Sequence, residues 1–535
     1  MKNKPSLLRS ARWQESLIVL VGLVVRALVW SQRFRFPFDD SFITFRYAQH
    51  LAEGKGIVWN LGGVATEGYT NFLYVVLLVP SFWLKIDPLM WSWTINIVAL
   101  IASAILIYRL IALILKQEFG AVQSYLPLVM ALAFIATPLV WMNALSAMET
   151  TVFGFLLLAS AYRFTRSLFD PLDSRSFVVA FILAFLAALT RPEGALLGVV
   201  LTAALLLTKP RRWKDSLAFL LPLLAYHIWR FVYFGTLLPN SFLIKVLNQD
   251  STTLMHGKAY ITFFLISTLG LVLASLPVAR TILKKKSITI LAVFCALILG
   301  FYAFPSPVMG LYDRFLYSVE VFLFVLAGVG LWMLAHNRAK VIQAALVILF
   351  LCVHAYSSLH APRAKEAFAS SDIDYRAYVR IASILRQLPS HDSISFAFAD
   401  AGIIPLYSQT AHIDLVGLND NDLARAHTFP EVSRILALRS PDLILVPIER
   451  PRPEDDSCRH IFRSGHGIIG SHYPELLQDA RFSDYRPLIA FHAWNYDVAV
   501  LERLHSAHAR EIEAGFMSHL SKDSDLLIRA PNCLE

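Results

Sequence analysis

Apolar residues run along most of this chain in long unbroken blocks, not in the alternation of a half-buried strand or the stripe of an amphipathic helix. About a dozen blocks can be marked, near residues 14–32, 69–86, 90–115, 125–143, 148–162, 176–190, 194–208, 215–234, 258–279, 287–304, 315–335 and 340–358. Blocks of this kind predict membrane-crossing helices, although several fall short of the roughly 20 residues that span a bilayer comfortably. After residue 358 the blocks stop and shorter periodicities take over. Residues 375–388 predict an amphipathic helix, and residues 393–400, 412–417 and 442–447 predict strands, with a β-rich return through LIAFHAW and DVAVLERL. The chain therefore divides into a polytopic, mostly α part over residues 1–358 and a small α/β domain over residues 359–535, large enough to hold its own core.

The polar positions between the blocks set the topology. Lys and Arg gather in short clusters: Lys2, Lys4, Arg9 and Arg12; Lys116; Arg163, Arg166 and Arg175; Lys209, Arg211, Arg212 and Lys214; Arg280, Lys284, Lys285 and Lys286; Arg338 and Lys340. All fall on the cytoplasmic side if the chain starts there and the 69–86 block does not cross. If that block crossed, every later cluster would flip outward. The expectation is about eleven transmembrane helices plus one helix lying along or dipping into the outer leaflet, where Pro80, Lys85, Asp87 and Pro88 suit partial insertion. The odd number of crossings makes the α/β domain extracytoplasmic. No cleavable signal peptide is expected, because the first block contains Arg26 and lacks a small-residue cleavage site.

Composition agrees: of 535 residues, 56% are hydrophobic and 16% charged, which excludes an ordinary soluble protein. The formal charge of +9 would suit nucleic acid, but its distribution is that of membrane topology, so nucleic acid is set aside. The four cysteines (Cys295, Cys352, Cys458, Cys533) show no metal spacing; Cys458 and Cys533 can form a disulfide in an oxidising compartment or remain free thiols. No HExxH, GxGxxG, P-loop or nucleophile elbow is present, so nucleotide-driven chemistry has no support.

Chemistry concentrates in FDDSFITFRYAQHLAEGKGIVWNLGGVATEGYTNFLY, residues 38–74, which place Asp39 and Asp40 side by side at the membrane edge. Ionised groups there are costly unless they have a function. With the topology above, this loop shares one face with SAMET (146–150), TRPEG (190–194), GTLLPNSFLIK (235–245) and LYDR (311–314). Each loop has its own structural explanation as a cap, turn or local ion pair. Together they form the rim of a polar cavity suited to an anionic lipid headgroup. Asp400, Asp414 and Asp420 follow predicted strand ends, where both ligands and turn residues are found.

The run DDSFITFRYAQHLAEGKGIVWN with EGYTNFLY, then AMETTVF, LTRPEGALL, FGTLLPNSFLIK and DRFLYSVEVFLFVLAG, and later ADAGIIPLY with DLVGLNDNDLAR, resembles bacterial membrane glycosyltransferases related to the terminal β-1,2-arabinofuranosyltransferase of mycobacterial cell walls. The similarity runs from about residue 38 to residue 425. It implies a GT-C fold, a sugar donor carried on polyprenyl phosphate, an extracytoplasmic glycan or glycolipid acceptor, and a bacterial inner-membrane location with the active site facing the periplasm. It also implies a catalytic Asp in the first acidic loop; both Asp39 and Asp40 match, with a slight preference for Asp40.

Bare chemistry asks for the same parts. An acceptor hydroxyl needs a carboxylate to take its proton as it attacks the anomeric carbon, and a single displacement inverts the sugar. The second carboxylate of the pair is then free to orient the first, cap a helix or bind a divalent cation. A departing phosphate needs cations, for which Arg46, Arg191, Lys245 and Arg314 are candidates. Glu67, Asn71, Glu149, Glu193 and Asn240 are expected to bind sugar hydroxyls or to hold those cations in place. An arabinofuranosyl-type pentose leads, with a hexose or aminosugar transferase acting on lipopolysaccharide or O-antigen as the alternative. A transporter or flippase of lipid-linked sugars is the alternative from another class, but it would be expected to show internal repeats.

Overall fold

The structure, a computed structural model, describes residues 4–31, 37–121, 123–170, 175–244, 253–303, 313–360, 362–426, 428–449, 478–492, 496–520 and 527–529. Lys245, Leu311, Tyr312, Cys458 and Cys533 lie outside the described residues.

Long apolar helices build the first part. Pro88–Phe119 shows why their ends fall where they do: Asp87 caps the first turn by accepting from the amides of Leu89 and Met90 at 2.8 and 3.0 Å, and Gly120 ends the helix in the left-handed region at φ 70°. Tyr317–Ala335 is the hub, with 78% of its apolar window buried, whereas Lys340–Leu359 has 28% buried and lies at the periphery. Glycines let neighbouring helices approach the hub closely. A Cβ on Gly330 would lie 2.1 Å from the carbonyl oxygen of Ala274, and one on Gly154 would lie 2.6 Å from the Tyr317 ring.

By length and apolarity, four of the described helices can cross a membrane: Pro88–Phe119, Pro210–Phe234, Tyr317–Ala335 and Lys340–Leu359. Two bent pairs raise the number to six: Leu126–Ala136 with Pro138–Leu145, bent by 55°, and His256–Ser267 with Leu269–Thr281, bent by 79°. Four shorter apolar helices stand beside them among the described residues: Phe72–Trp83, Arg175–Thr190, Gly194–Thr208 and Lys286–Tyr302. The 125–143 block breaks at Thr137, just before Pro138, and the Arg175–Thr190 and Gly194–Thr208 helices are short because the polar TRPEG segment interrupts them. The Phe72–Trp83 helix is short and apolar, as the 69–86 reading anticipates.

The later part carries a mixed six-stranded sheet in the order β2-β1-β3-β5-β4-β6, from β1 (Ser395–Phe398), β2 (Ala411–Asp414), β3 (Leu443–Glu449), β4 (Tyr485–His492), β5 (Tyr496–Arg503) and β6 (Leu527–Arg529). β1 runs parallel to β2 and β3, and the remaining pairs are antiparallel. Alternation along the strands sends Phe396, Phe398, Leu443 and Leu445 into the larger core with Ile381, Ile512 and Phe516. Ala397, Ile444, Val446 and Ala499 pack on the other face against Val432 and Leu436 of the Phe429–Arg439 helix. Between helices and sheet lies Asp39–Ala52, whose Phe42 meets Tyr375 and Tyr407 at ring separations of 6.1 and 5.8 Å. One apolar core runs through both parts.

Candidate active site

Asp39 and Asp40 form the first turn of the Asp39–Ala52 helix, where carboxylates complement the helix dipole. Successive helical residues point about 100° apart, and the two carboxylates separate accordingly. Asp39 turns to the sheet region and accepts from the amides of Gly402 and Ile403, both at 2.8 Å. The approach is so close that a Cβ on Gly402 would lie 1.8 Å from the Asp39 carbonyl oxygen. Burial, Asp400 and Asp40 hold the Asp39 carboxyl well above the ordinary carboxylate range, despite those two amides. Asp40 instead lines a cavity of about 80 Å³ and accepts from Arg314 Nη2 at 3.2 Å.

The cavity brings together Asp40, Asn71, Glu149, Arg191 and Arg314, which come from four of the five loops singled out in the sequence. Arg191 binds Glu149 at 3.0 Å and Glu193 at 2.9 Å, and Asn71 Nδ2 donates to the other Glu149 oxygen at 2.8 Å. Phe315 lies beside both guanidiniums, 5.1 Å from that of Arg191 and 5.0 Å from that of Arg314. Arg314 is 4% exposed, yet its Nε and Nη1 have no hydrogen-bond partner among the described residues. The same holds for the hydroxyls of Tyr69 and Ser241, two further cavity residues. What distinguishes these groups is that they converge on one cavity, an arrangement that can receive a polar ligand.

The remaining predicted residues lie elsewhere. Arg46 does not line the cavity. Its guanidinium donates to the carbonyls of Trp59 (3.0 Å), Thr410 (3.1 Å) and Pro405 and to Asn60 Oδ1 (3.3 Å), which commits four of its five N–H donors to fastening the helix to the sheet region. Glu67 is buried against Arg230 at 2.5 Å, and burial pushes its carboxyl up to about 7 in spite of that partner. Glu193 supports Arg191 and accepts from the Tyr302 hydroxyl, behind the cavity wall. Asn240 donates to Asn421 Oδ1 at 2.9 Å and to the Leu418 carbonyl at 3.3 Å, and its neighbour Ser241 lines the cavity instead.

Near the strand ends, Asp414 accepts from the amides of Val416, Gly417 and Asn419, and Asp420 pairs with Arg439. Both carboxylates shape turns. Sequence reasoning missed Tyr69, Ser241, Phe315 and Leu418, although all four fall within motifs it quoted. Of five non-glycine residues with positive φ among the described residues, Ala147 (φ 62°) and Asp313 (φ 56°) each stand just before a cavity residue, while Lys85, Gln409 and Ser440 lie elsewhere.

A family profile described as a domain of unknown function (DUF8728) matches residues 369–502, within the later part of the chain. No curated protein sequence matches the chain. Solved structures do. ArnT from Cupriavidus metallidurans, bound to undecaprenyl phosphate, is 12% identical with a TM-score of 0.58, covering 91% of this chain and 97% of that one. The Archaeoglobus fulgidus oligosaccharyltransferase AglB, in complex with an inhibitory peptide and a dolichol-phosphate, is 10% identical with a TM-score of 0.55, over 91% of this chain and 74% of that one. The mycobacterial arabinofuranosyltransferase AftD is 14% identical with a TM-score of 0.52, over 92% of this chain and 42% of its own length. At such identities the likeness shows architecture alone: the chain is mostly helical, with four to six apolar spans among the described residues and a small sheet, in a fold similar to that of these GT-C proteins.

Proposed function

We propose that the protein is an inverting glycosyltransferase that takes its sugar from a polyprenyl-phosphate carrier. The observation that carries this reading is the pair of half-buried Asp40 and buried Arg314 in a cavity where Arg314 keeps two nitrogens without hydrogen-bond partners among the described residues. A carboxylate that can accept a proton and a guanidinium that can receive a phosphate are the two groups the reaction requires. The acceptor hydroxyl attacks the anomeric carbon and Asp40 takes its proton. The bond from that carbon to the phosphate oxygen breaks, and its electron pair leaves with the polyprenyl phosphate. Arg314 meets the charge that grows on the leaving oxygen through Nε and Nη1, with Arg191 nearby and already neutralised by Glu149 and Glu193. Asn71 and Glu149 keep the polar wall in register for sugar hydroxyls.

The overlays with ArnT and AglB support a lipid-phosphate donor, since both were solved with such lipids. In this reading the protein spans the bacterial inner membrane about eleven times by the basic-cluster pattern. Residues 1–358 form the catalytic part, and residues 359–535 face the periplasm with the cavity. Asp39 serves as a positioning group, because its oxygens are taken by backbone amides. The leading donor sugar is an arabinofuranosyl-type pentose and the acceptor a cell-envelope glycan or glycolipid. A hexose or aminosugar donor is the second reading. Purified protein in lipid, given synthetic polyprenyl-phosphate sugars, should transfer sugar and release polyprenyl phosphate. Movement of intact donor across the bilayer without cleavage of any tested sugar would replace this reading with a flippase.

A further inference from the structure

One wall of the cavity is not built by the helices. Leu418 sits on the turn that follows β2 and lines the same cavity as Asp40 and Arg314. The turn is anchored from three sides. Asp414, at the end of β2, accepts from the amides of Val416, Gly417 and Asn419 and from Asn419 Nδ2 at 2.9 to 3.2 Å. The Tyr47 hydroxyl, from the same helix that carries Asp40, lies 2.7 Å from the Thr66 carbonyl and 3.1 Å from Asn419 Oδ1 and shares its one proton between them. Asn240 holds the Leu418 carbonyl at 3.3 Å. Gly68, next to the cavity residue Tyr69, packs directly on the turn: a Cβ there would lie 1.8 Å from Asn419 Oδ1 and 2.9 Å from the Leu418 carbonyl oxygen.

A wall tied down in this way does not yield when a ligand presses on it. The Leu418 side chain is apolar, as are those of Ile43, Met148 and Phe315 from the helical part, whereas Thr44, Asn71, Glu149 and Ser241 bring polar atoms to the same space. A polar wall selects by hydrogen bonding. A rigid apolar one selects by volume, and one methylene of difference in such a wall changes discrimination by roughly ten- to two-hundred-fold.

The geometry points to Leu418 as a size selector, through which the sheet-bearing part of the chain decides how bulky a glycosyl group fits in the cavity with Asp40. The inference rests on the glycosyltransferase reading. The test uses the full-length protein in lipid with two synthetic donors, a polyprenyl-phosphate pentofuranose and a polyprenyl-phosphate hexose. kcat/KM is measured for the wild type, Leu418→Ala and Leu418→Phe, alongside affinity for sugar-free polyprenyl phosphate. Leu418→Ala should raise the hexose-to-pentose ratio about tenfold or more, and Leu418→Phe should lower it. Binding of polyprenyl phosphate should be unchanged in both variants. Unchanged sugar ratios with phosphate binding intact overturn the assignment. Loss of polyprenyl phosphate binding in both variants overturns it as well, since Leu418 would then serve the fold. Wild-type protein that binds polyprenyl phosphate yet cleaves neither donor rejects the glycosyltransferase reading itself, a result separable from a failure of Leu418.

Discussion

The seam between helices and sheet and the cavity beside it are both buried and both rich in polar atoms, and they differ in how those atoms are satisfied. In the seam, Asp39 accepts two amides, Arg46 donates to three carbonyls and Asn60, and Asp414 accepts three amides and a side-chain amide. Unpartnered groups there, Trp59 Nε1 and His412 Nδ1, are neutral, and burial with Arg46 nearby drives the His412 imidazole down to about 3. In the cavity it is a cation, Arg314, whose nitrogens lack partners among the described residues. Burial therefore does not separate structural charges from working ones. What sets Arg314 apart is that its unpartnered nitrogens belong to a cavity residue, whereas Arg230 and Glu502, which also keep a buried atom without a partner among the described residues, do not line the cavity.

Adjacent residues fall on opposite sides of this divide, which makes it easy to break. Asp40→Asn should lower turnover by ~10²-fold or more while thermal stability stays near wild type, as loss of a general base in a preserved fold does. Unimpaired transfer by this variant would remove the cavity's claim to chemistry. Arg46→Ala should do the reverse, since it strips buried carbonyls of their donor. Stability should fall on the order of 3 kcal/mol, read by denaturation in detergent, with faster proteolysis around residues 402–410. A stable Arg46→Ala protein with defective donor binding would move Arg46 from the seam to the site.

Arg314→Lys tests the same contrast more finely. It keeps the charge but loses the planar fork, so kcat should drop about tenfold with a smaller change in KM for the donor. An effect on KM alone would mean that Arg314 holds the donor equally in ground and transition states.

The smallest expected effect is on Asp39. Its carboxyl is raised in the folded protein by burial, Asp400 and Asp40, so its contribution to stability is fully present below the ordinary carboxylate range and is lost as pH rises through the raised folded value. Thermal midpoints should thus decline with rising pH in that window. Asp39→Asn should flatten the decline, at a loss of about 1 kcal/mol for the amide bond it cannot accept. An unchanged slope would show that the seam's pH response lies elsewhere.

The blocks of apolar residues were enough to predict a helical part, the strand periodicities a sheet-bearing one, and the acidic pair a place on a polar rim, although residues 38–74 read as a loop and Asp39–Ala52 is a helix. These features are local: a propensity, a period or a cap acts within a few residues. The partners of the charged groups are not local. Asp39 meets Gly402 across 363 positions, Arg46 meets Pro405 across 359, and Arg314 meets Asp40 across 274. Which aspartate faces the cavity, why Arg46 is a fastener and how Leu418 comes to wall a site in another part of the chain were decided only in the folded protein. Side-chain direction there follows from packing across the seam, and no spacing along the chain encodes it.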